Sequence, residues 1–415
     1  MHSLHTFSFP TAISYGVGAR FALGPCLQSL GKRRVLLVTD GALQHLPPVQ
    51  EIARLLHAAN LEPTVFAEVS GHPDAAQVHA GAQAYAAARC DALVLVGGGA
   101  ALDVGKCIAL LAHHSGPLFD YAQPTEPLRA GPCRQVVGPM PPVVALPTTA
   151  GTGSEVGRSS VISDSVTAAK RIIFHPRLLP TQVLLDPFLC LGVPKHITAA
   201  TGMDALTHLV ESYLSLGVHP LCDGIALQGL GLVARNLQAC VDFAAAAETS
   251  ATPLAGPSAG LDTSDAHLAA RGNMQLAALM GGVAFQKGLG VTHSCAHALS
   301  TVCGLHHGLA NSLMLPQALR FNLAQVPQPF VALAHAAGLP AARDAAASGE
   351  QFIKWVGTLR SRLGLPSSLA AVGVCPEHVP ALVACAQQDG CHANNPRRVL
   401  PADFERLFLD AMGQA

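Results

Sequence analysis

Charge is the first thing this chain has little of. Only 12% of its 415 residues are charged, with 25 Lys and Arg against 26 Asp and Glu, for a formal net charge of −1. No run of basic residues could track a phosphate backbone, which argues against nucleic acid as a partner. Among its 12 cysteines no two stand in a C-x-x-C pair. They lie scattered among apolar neighbours, as at Cys107, Cys240 and Cys385, the pattern of buried reduced thiols and not of a disulfide framework. The opening MHSLHTFSFP has neither a charged start nor an unbroken apolar stretch, so no secretory signal is expected there. The most apolar window, Ala92 to Ala112, is interrupted by Asp103, Lys106 and a glycine triplet, which makes it a poor membrane span. These absences together predict a cytoplasmic protein. Half of the residues are hydrophobic, which excludes disorder, and the length suits two domains that each bury a core.

What is present begins with an alternation. Arg34 to Asp40, Pro63 to Val69 and Asp91 to Val96 read as strands, and helical periodicity over Val49 to Ala59 and Ala75 to Ala88 separates them. Strand, helix, strand is the order of a parallel sheet with helices on both faces. Further strands are expected at Val143 to Pro147 and Val183 to Pro187, with Ser115 to Pro142 an irregular loop before the first of them. From Pro194 the pattern changes to long helical segments, expected over Lys195 to Thr201, Gly202 to Ser215, Pro220 to Ala245, Asp265 to Met280, Ser294 to Cys303 and Ala310 to Asn322. The change sets a boundary that divides the chain into residues 1–191, α/β, and 192–415, all-helical. Thr249 to Thr263, rich in Ala, Ser, Pro and Gly, reads as a surface excursion.

Two stretches suit nucleotide chemistry, although the glycine triplet alone also fits a tight structural turn and Asp40 an ordinary helix cap or turn residue. Gly97-Gly98-Gly99 turns off a strand into a helix, so backbone amides and the helix N-terminus would face a phosphate that the missing side chains allow to approach. Asp40, closing its strand, suits ribose hydroxyls and would repel a 2′-phosphate, which favours NAD over NADP. The hydroxyl-rich turn Thr148 to Glu155 can bond a diphosphate or ribose, although such turns also form for local reasons.

Metal chemistry is written in histidines. The segment Gly290 to Asn311 holds His293 and His297, four apart and so on one helix face, with His306 and His307 shortly after. Asp204 and His208 repeat the four-residue spacing in TGMDALTHLVESY. One carboxylate and three imidazoles from separate helices would hold a divalent ion and leave room for an exogenous ligand, and such donors suit iron, zinc, nickel or copper. In a chain with 20 histidines, i,i+4 pairs also arise by chance or hydrogen-bond in a core, and each pair alone leaves both readings open.

In order and at compatible spacing, the motifs resemble the iron-containing (group III) alcohol dehydrogenases over nearly the whole chain. They are FxFPTxIxxGxG at Phe7 to Gly18, LLVTD at Leu36 to Asp40, GGGxxxDxxK at Gly97 to Lys106 and PTTAGTGSEV at Pro147 to Val156. GMDALTHxxES at Gly202 to Ser212, GxxHxxAHxL at Gly290 to Leu299, HGxAN at His307 to Asn311 and NPR at Asn395 to Arg397 complete the set. The resemblance implies the dehydroquinate synthase-like architecture of that family, a dinucleotide-binding α/β domain followed by an all-α domain with the active site between them. It implies Fe2+, with Zn2+ as the alternative, on Asp204, His208, His293 and His307. It makes His297 a proton relay near the nicotinamide and leaves His306 incidental. Cofactor contacts fall to Asp40, Gly97, Gly98, Gly99, Asp103, Thr148, Thr149, Thr152 and Lys170. The implied reaction is hydride transfer between a small primary alcohol, diol or hydroxy acid and NAD, NADP being less favoured, in a homodimer or larger homo-oligomer.

Departures and rivals sharpen the expectation. Ala100 stands where a serine is usual after the glycine triplet, and Gly157 where many relatives have Thr. Arg158 next to it either attracts an anionic substrate or is a solvated surface arginine. The metal-free maleylacetate-reductase branch would need one of the four ligand positions replaced, and none is. Glycerol-dehydrogenase-like, hydrolase and binding-only readings are the remaining alternatives.

Overall fold

In the computed structural model the described residues are 7–122, 133–165, 170–250 and 263–413. Eight strands and thirteen α-helices run through them. The first part of the chain contains β1 (Ala12–Tyr15), α1 (Leu23–Ser29), β2 (Arg34–Asp40), α2 (Pro47–Ala58), β3 (Glu62–Val69), α3 (Ala75–Ala87), β4 (Ala92–Gly97) and α4 (Gly99–Leu111). Then come β5 (Val143–Pro147), β6 (Ser159–Ser163), β7 (Lys170–Phe174) and β8 (Gln182–Leu185). Six of these strands form one parallel sheet in the order β1-β8-β5-β4-β2-β3, and β6 and β7 pair as an antiparallel hairpin.

The alternation along β2 explains why the sheet is covered twice. Val35 and Leu37 point into a core with Leu23, Leu27, Ile52 and Leu56 of α1 and α2. Leu36 and Val38 point the other way, against Val78, Tyr85, Val104 and Ile108 of α3 and α4. With both faces buried the strand is apolar from Val35 to Val38, as the middle of a central parallel strand must be.

Helices fill the rest: α5 (Lys195–Leu214), α6 (Pro220–Ser250), α7 (Asp265–Ala284), α8 (Val291–Cys303), α9 (His307–Leu323), α10 (Pro329–Ala336), α11 (Ala345–Arg362), α12 (Val379–Gln388) and α13 (Pro401–Met412). One core joins α5, α6, α7, α10 and α11, through Leu206, Leu237, Met274, Phe330 and Phe352. A second joins α8, α9, α12 and α13, through Leu299, Leu313, Leu382 and Phe408. Among the described residues no helix is long and apolar enough to cross a membrane.

Two differences from expectation have physical reasons. The segments expected as separate helices before and after Gly202 are one continuous α5. Gly202 does not end the helix but makes room, since a Cβ there would stand 2.1 Å from Leu237 Cδ1. Strand β1 and the β6–β7 hairpin are additional to the five expected strands. They are only four or five residues long, and β6, Ser-Ser-Val-Ile-Ser, alternates too weakly to stand out from its surroundings. The excursion at Thr249 to Thr263 lies almost entirely outside the described residues.

Candidate metal centre and nucleotide cleft

Helix α5 carries Asp204 and His208 one turn apart on a buried face. Helix α9 begins at His307, and its second residue, Gly308, lies so close to α5 that a Cβ would come within 2.2 Å of the Ala200 carbonyl oxygen. That contact sets His307 beside Asp204, with Nε2 3.3 Å from Oδ1. Helix α8 adds His293, whose Nε2 is 4.0 Å from the same oxygen, as is Nε2 of His208. The His208 and His293 rings stack at 4.7 Å. Donor atoms of Asp204, His293 and His307 all lie within 4.8 Å of one another, and His208 borders that trio.

Glu211, quoted in the α5 motif without a role, organises this corner. One of its oxygens accepts from the Gly290 and His293 amides at 2.9 and 3.3 Å, and the other from the Thr292 amide at 2.6 Å. Asn395 Oδ1 takes the remaining Val291 amide at 3.2 Å. The free N–H groups at the start of α8 are thus all engaged. Glu211 also meets His293 Nδ1 at 2.8 Å. A proton held there makes Nε2 the lone-pair nitrogen and aims it at Asp204.

Electrostatics keep two of the three imidazoles free of protons, whereas burial of His293 is outweighed by Glu211, which raises its pKa above the ordinary value. Burial pushes His208 down to about 4 and His307 down to about 3, against the pull of Asp204. Burial works against ionisation of Asp204 and Glu211 as well. The surrounding histidines outweigh it, chiefly His208 and His307 for Asp204 and His293 for Glu211, and hold both carboxyls below their ordinary range. Asn311 occupies the hub, its amide nitrogen 2.7 Å from Asp204 Oδ1, 3.1 Å from His307 Nε2 and 3.4 Å from His293 Nε2. Three acceptors on three side chains therefore converge on one point of positive polarity. One carboxylate and neutral imidazoles are donors that iron and zinc take.

The expected nucleotide residues gather at the carboxyl ends of the parallel strands, where open α/β sheets bind ligands. Gly98 caps α4, and Gly99 begins it. A Cβ on Gly98 would meet Thr149 Oγ1 at 3.3 Å, and one on Gly99 would meet Thr152 Cγ2 at 2.6 Å, so the two turns are in direct contact. Thr148 donates its amide to the Gly97 carbonyl at 3.0 Å. Asp40 ends β2, where its carboxylate accepts the Ala42 amide at 2.7 Å. Asp103 is turned into the protein, accepting from Ser154 Oγ at 2.5 Å and the Val161 amide at 3.0 Å. Fully buried Lys106 stands 3.3 Å from Asp103 and donates to the Ser154, Gly157 and Ser159 carbonyls, fastening the hydroxyl-rich turn to α4. Lys170 opens β7. Burial lowers its pKa, while Asp389, Asp204 and Asp103 oppose the shift, so it lies in the field of carboxylates from both sides of the cleft. Arg158 spans Gln286 Oε1, at 3.5 Å, and the face of Phe174.

Residues 10–187 match the family described as "Iron-containing alcohol dehydrogenase", and residues 198–268 and 257–412 its C-terminal counterpart. The chain belongs to the iron-containing alcohol dehydrogenase family. It is 33% identical to the 1,3-propanediol dehydrogenase of Klebsiella pneumoniae, over 99% of each chain. To the 4-hydroxybutyrate dehydrogenase of Cupriavidus necator it is 36% identical, over 97% of this chain and 98% of that one. The crystal structure of a 1,3-propanediol oxidoreductase superposes with a TM-score of 0.88 at 33% identity, covering 98% of this chain and all of the other. A sulfoacetaldehyde reductase from Bifidobacterium kashiwanohense, solved in complex with NAD+, gives 0.82 at 26% identity with both chains fully covered. This chain is therefore a metal-dependent alcohol dehydrogenase by family, and iron and NAD are the family's cofactors.

Proposed function

We propose that this chain interconverts a short primary alcohol, diol or ω-hydroxy acid and its aldehyde, using Fe2+ and NAD. The convergence of His208, His293 and His307 Nε2 on Asp204 Oδ1 carries this reading. Those four residues would hold the metal. When bound, the metal supplies Lewis acidity to the alcohol or carbonyl oxygen and the nicotinamide accepts or gives the hydride.

The chain's own residues supply the rest. Glu211 would hold the Nδ1–H of His293 and so direct Nε2 toward a cation, and neutral His208 and His307 would leave the site open to one. The contact of the 97–99 and 149–152 turns would form a side-chain-poor cradle for the diphosphate, beneath which Asp103 and Lys106 act as framework. Asp40 would accept from the adenosine ribose and disfavour a 2′-phosphate. His297, stacked on His307 at 5.2 Å, would take the substrate proton. The names of the relatives, a propanediol and a hydroxybutyrate dehydrogenase, motivate the substrate classes. Arg158 already contacts Gln286 and Phe174, which supports a framework role over capture of an anionic substrate. A cytoplasmic homo-oligomer is part of the same reading.

NADH formation from 1,3-propanediol, methanol, 4-hydroxybutyrate and longer alcohols, with anaerobically prepared protein loaded with Fe2+ or Zn2+, tests it. Turnover that requires metal and vanishes in His293→Ala is expected. No reduction of NAD by any member of the panel with metal bound would sink the proposal.

A further inference from the structure

Across the site from Glu211, a second carboxylate holds a second histidine. His297 Nδ1 lies 2.7 Å from Asp389 Oδ2, although the two are 92 residues apart, and both side chains are only 13% exposed. Asp389 follows directly on the last turn of α12. That is a poor place for an anion, since the carbonyl end of a helix carries partial negative charge. The carboxylate is nevertheless held on both sides. Its other oxygen accepts from Ser294 Oγ at 2.7 Å and from the Cys391 amide at 2.8 Å. The Cys391 thiol lies nearby, its sulfur within 4.8 Å of the donor atoms of His297 and Asp389, but both Asp389 oxygens are already engaged by donors from the chain. The cluster is therefore built to hold an imidazole in place.

Resting on the function proposed above, we infer that Asp389 is the positioning residue for His297. It accepts the Nδ1 proton and so leaves Nε2 as the lone-pair nitrogen. Among the described residues Nε2 has no hydrogen-bond partner, while the ring stacks on His307. In the oxidation direction the substrate O–H bond breaks and its proton forms an N–H bond at Nε2. The carbinol hydrogen would leave with its electron pair as a hydride that the nicotinamide of NAD would accept, and Asp389 stays ionised beside the imidazolium. In reduction the same proton returns to the oxygen.

The surroundings predict what Asp389→Asn does. The Cys391 amide is a fixed donor, so the new side chain must turn its oxygen toward it and its NH2 toward His297. Nδ1 then becomes an acceptor, and the proton moves to Nε2, the wrong tautomer for a base. Nitrogen-15 NMR of histidine-labelled, Zn2+-loaded full-length protein at alkaline pH reads this directly, with the signal assigned by its absence in His297→Asn. The wild type is expected to show Nδ1–H at His297 and Asp389→Asn to show Nε2–H. Alongside, kcat for the best alcohol should fall by about 10²-fold with KM and bound metal nearly unchanged. Asp389→Ala should lose a similar factor, and Asp389→Glu should recover part of it. Nε2–H in the wild type, or Nδ1–H persisting in Asp389→Asn, overturns the inference. If no alcohol is oxidised at all, the proposed reaction fails, while the tautomer still decides whether Asp389 positions His297.

Discussion

The two halves of the proposed site are built by opposite means. The helical side uses side chains that are themselves held by side chains, with His293 fixed by Glu211, His297 paired with Asp389, and Asp204 bonded to Asn311. The sheet side uses backbone and missing side chains, where Gly98 and Gly99 lie against Thr149 and Thr152. Removing an atom should therefore hurt on one side, and adding one on the other. Their buried glutamates differ in the same sense. Glu211 is held ionised by amides and an imidazole, whereas burial pushes Glu155 in the hydroxyl-rich turn up to about 7, opposed only by its own backbone amide and by Lys106.

The largest effect should come from Asp204→Asn, which replaces the carboxylate on which three imidazoles converge; metal analysis after gel filtration should find the centre empty while NADH still binds. Next is Glu155→Gln. Because the folded pKa of Glu155 lies above the unfolded value, its protonated form supports folding below about pH 4.5, and that support is lost as pH rises through about 7. The wild type should lose on the order of 3 kcal/mol from this group between those limits, and Glu155→Gln should flatten that part of the profile in urea unfolding. A variant as pH-sensitive as the wild type would mean that Glu155 is not the titrating group.

Glu211→Gln should weaken metal binding by roughly 10–100-fold, read by competition with a chelator, because the amide no longer fixes the tautomer of His293. Smallest is Gly99→Ala. Its new Cβ would press on Thr152 and should lower NADH affinity by about 10-fold in a fluorescence titration, an overpacking cost of about 1.4 kcal/mol. Metal content should not change. Thr152→Ala in the same chain should restore part of the affinity, and failure to do so would break the contrast between the two sides.

Much of this was legible in the chain. The apolar runs at Arg34 to Asp40, Asp91 to Val96 and Val143 to Pro147 announce buried parallel strands, and all three correspond to strands of the central sheet. The spacing of Asp204 and His208, and of His293 and His297, places each pair on one helix face, and helices α5 and α8 carry them so. Short elements were the hard ones, because the four residues of β1 and the five of each hairpin strand hold too few periods to distinguish strand from loop.

The sequence by itself determined which chemical groups are available and on which local face they lie, because periodicity and glycine placement act over a few residues. Only the tertiary structure decided which group meets which. Glu211 finds His293 across 82 residues, Asp389 finds His297 across 92, and Asn311 finds Asp204 across 107. Such pairings leave no periodic trace in the chain. They arise because buried carboxylates, amides and imidazoles must satisfy one another once two separate helical cores bring α5, α8, α9 and the end of α12 together.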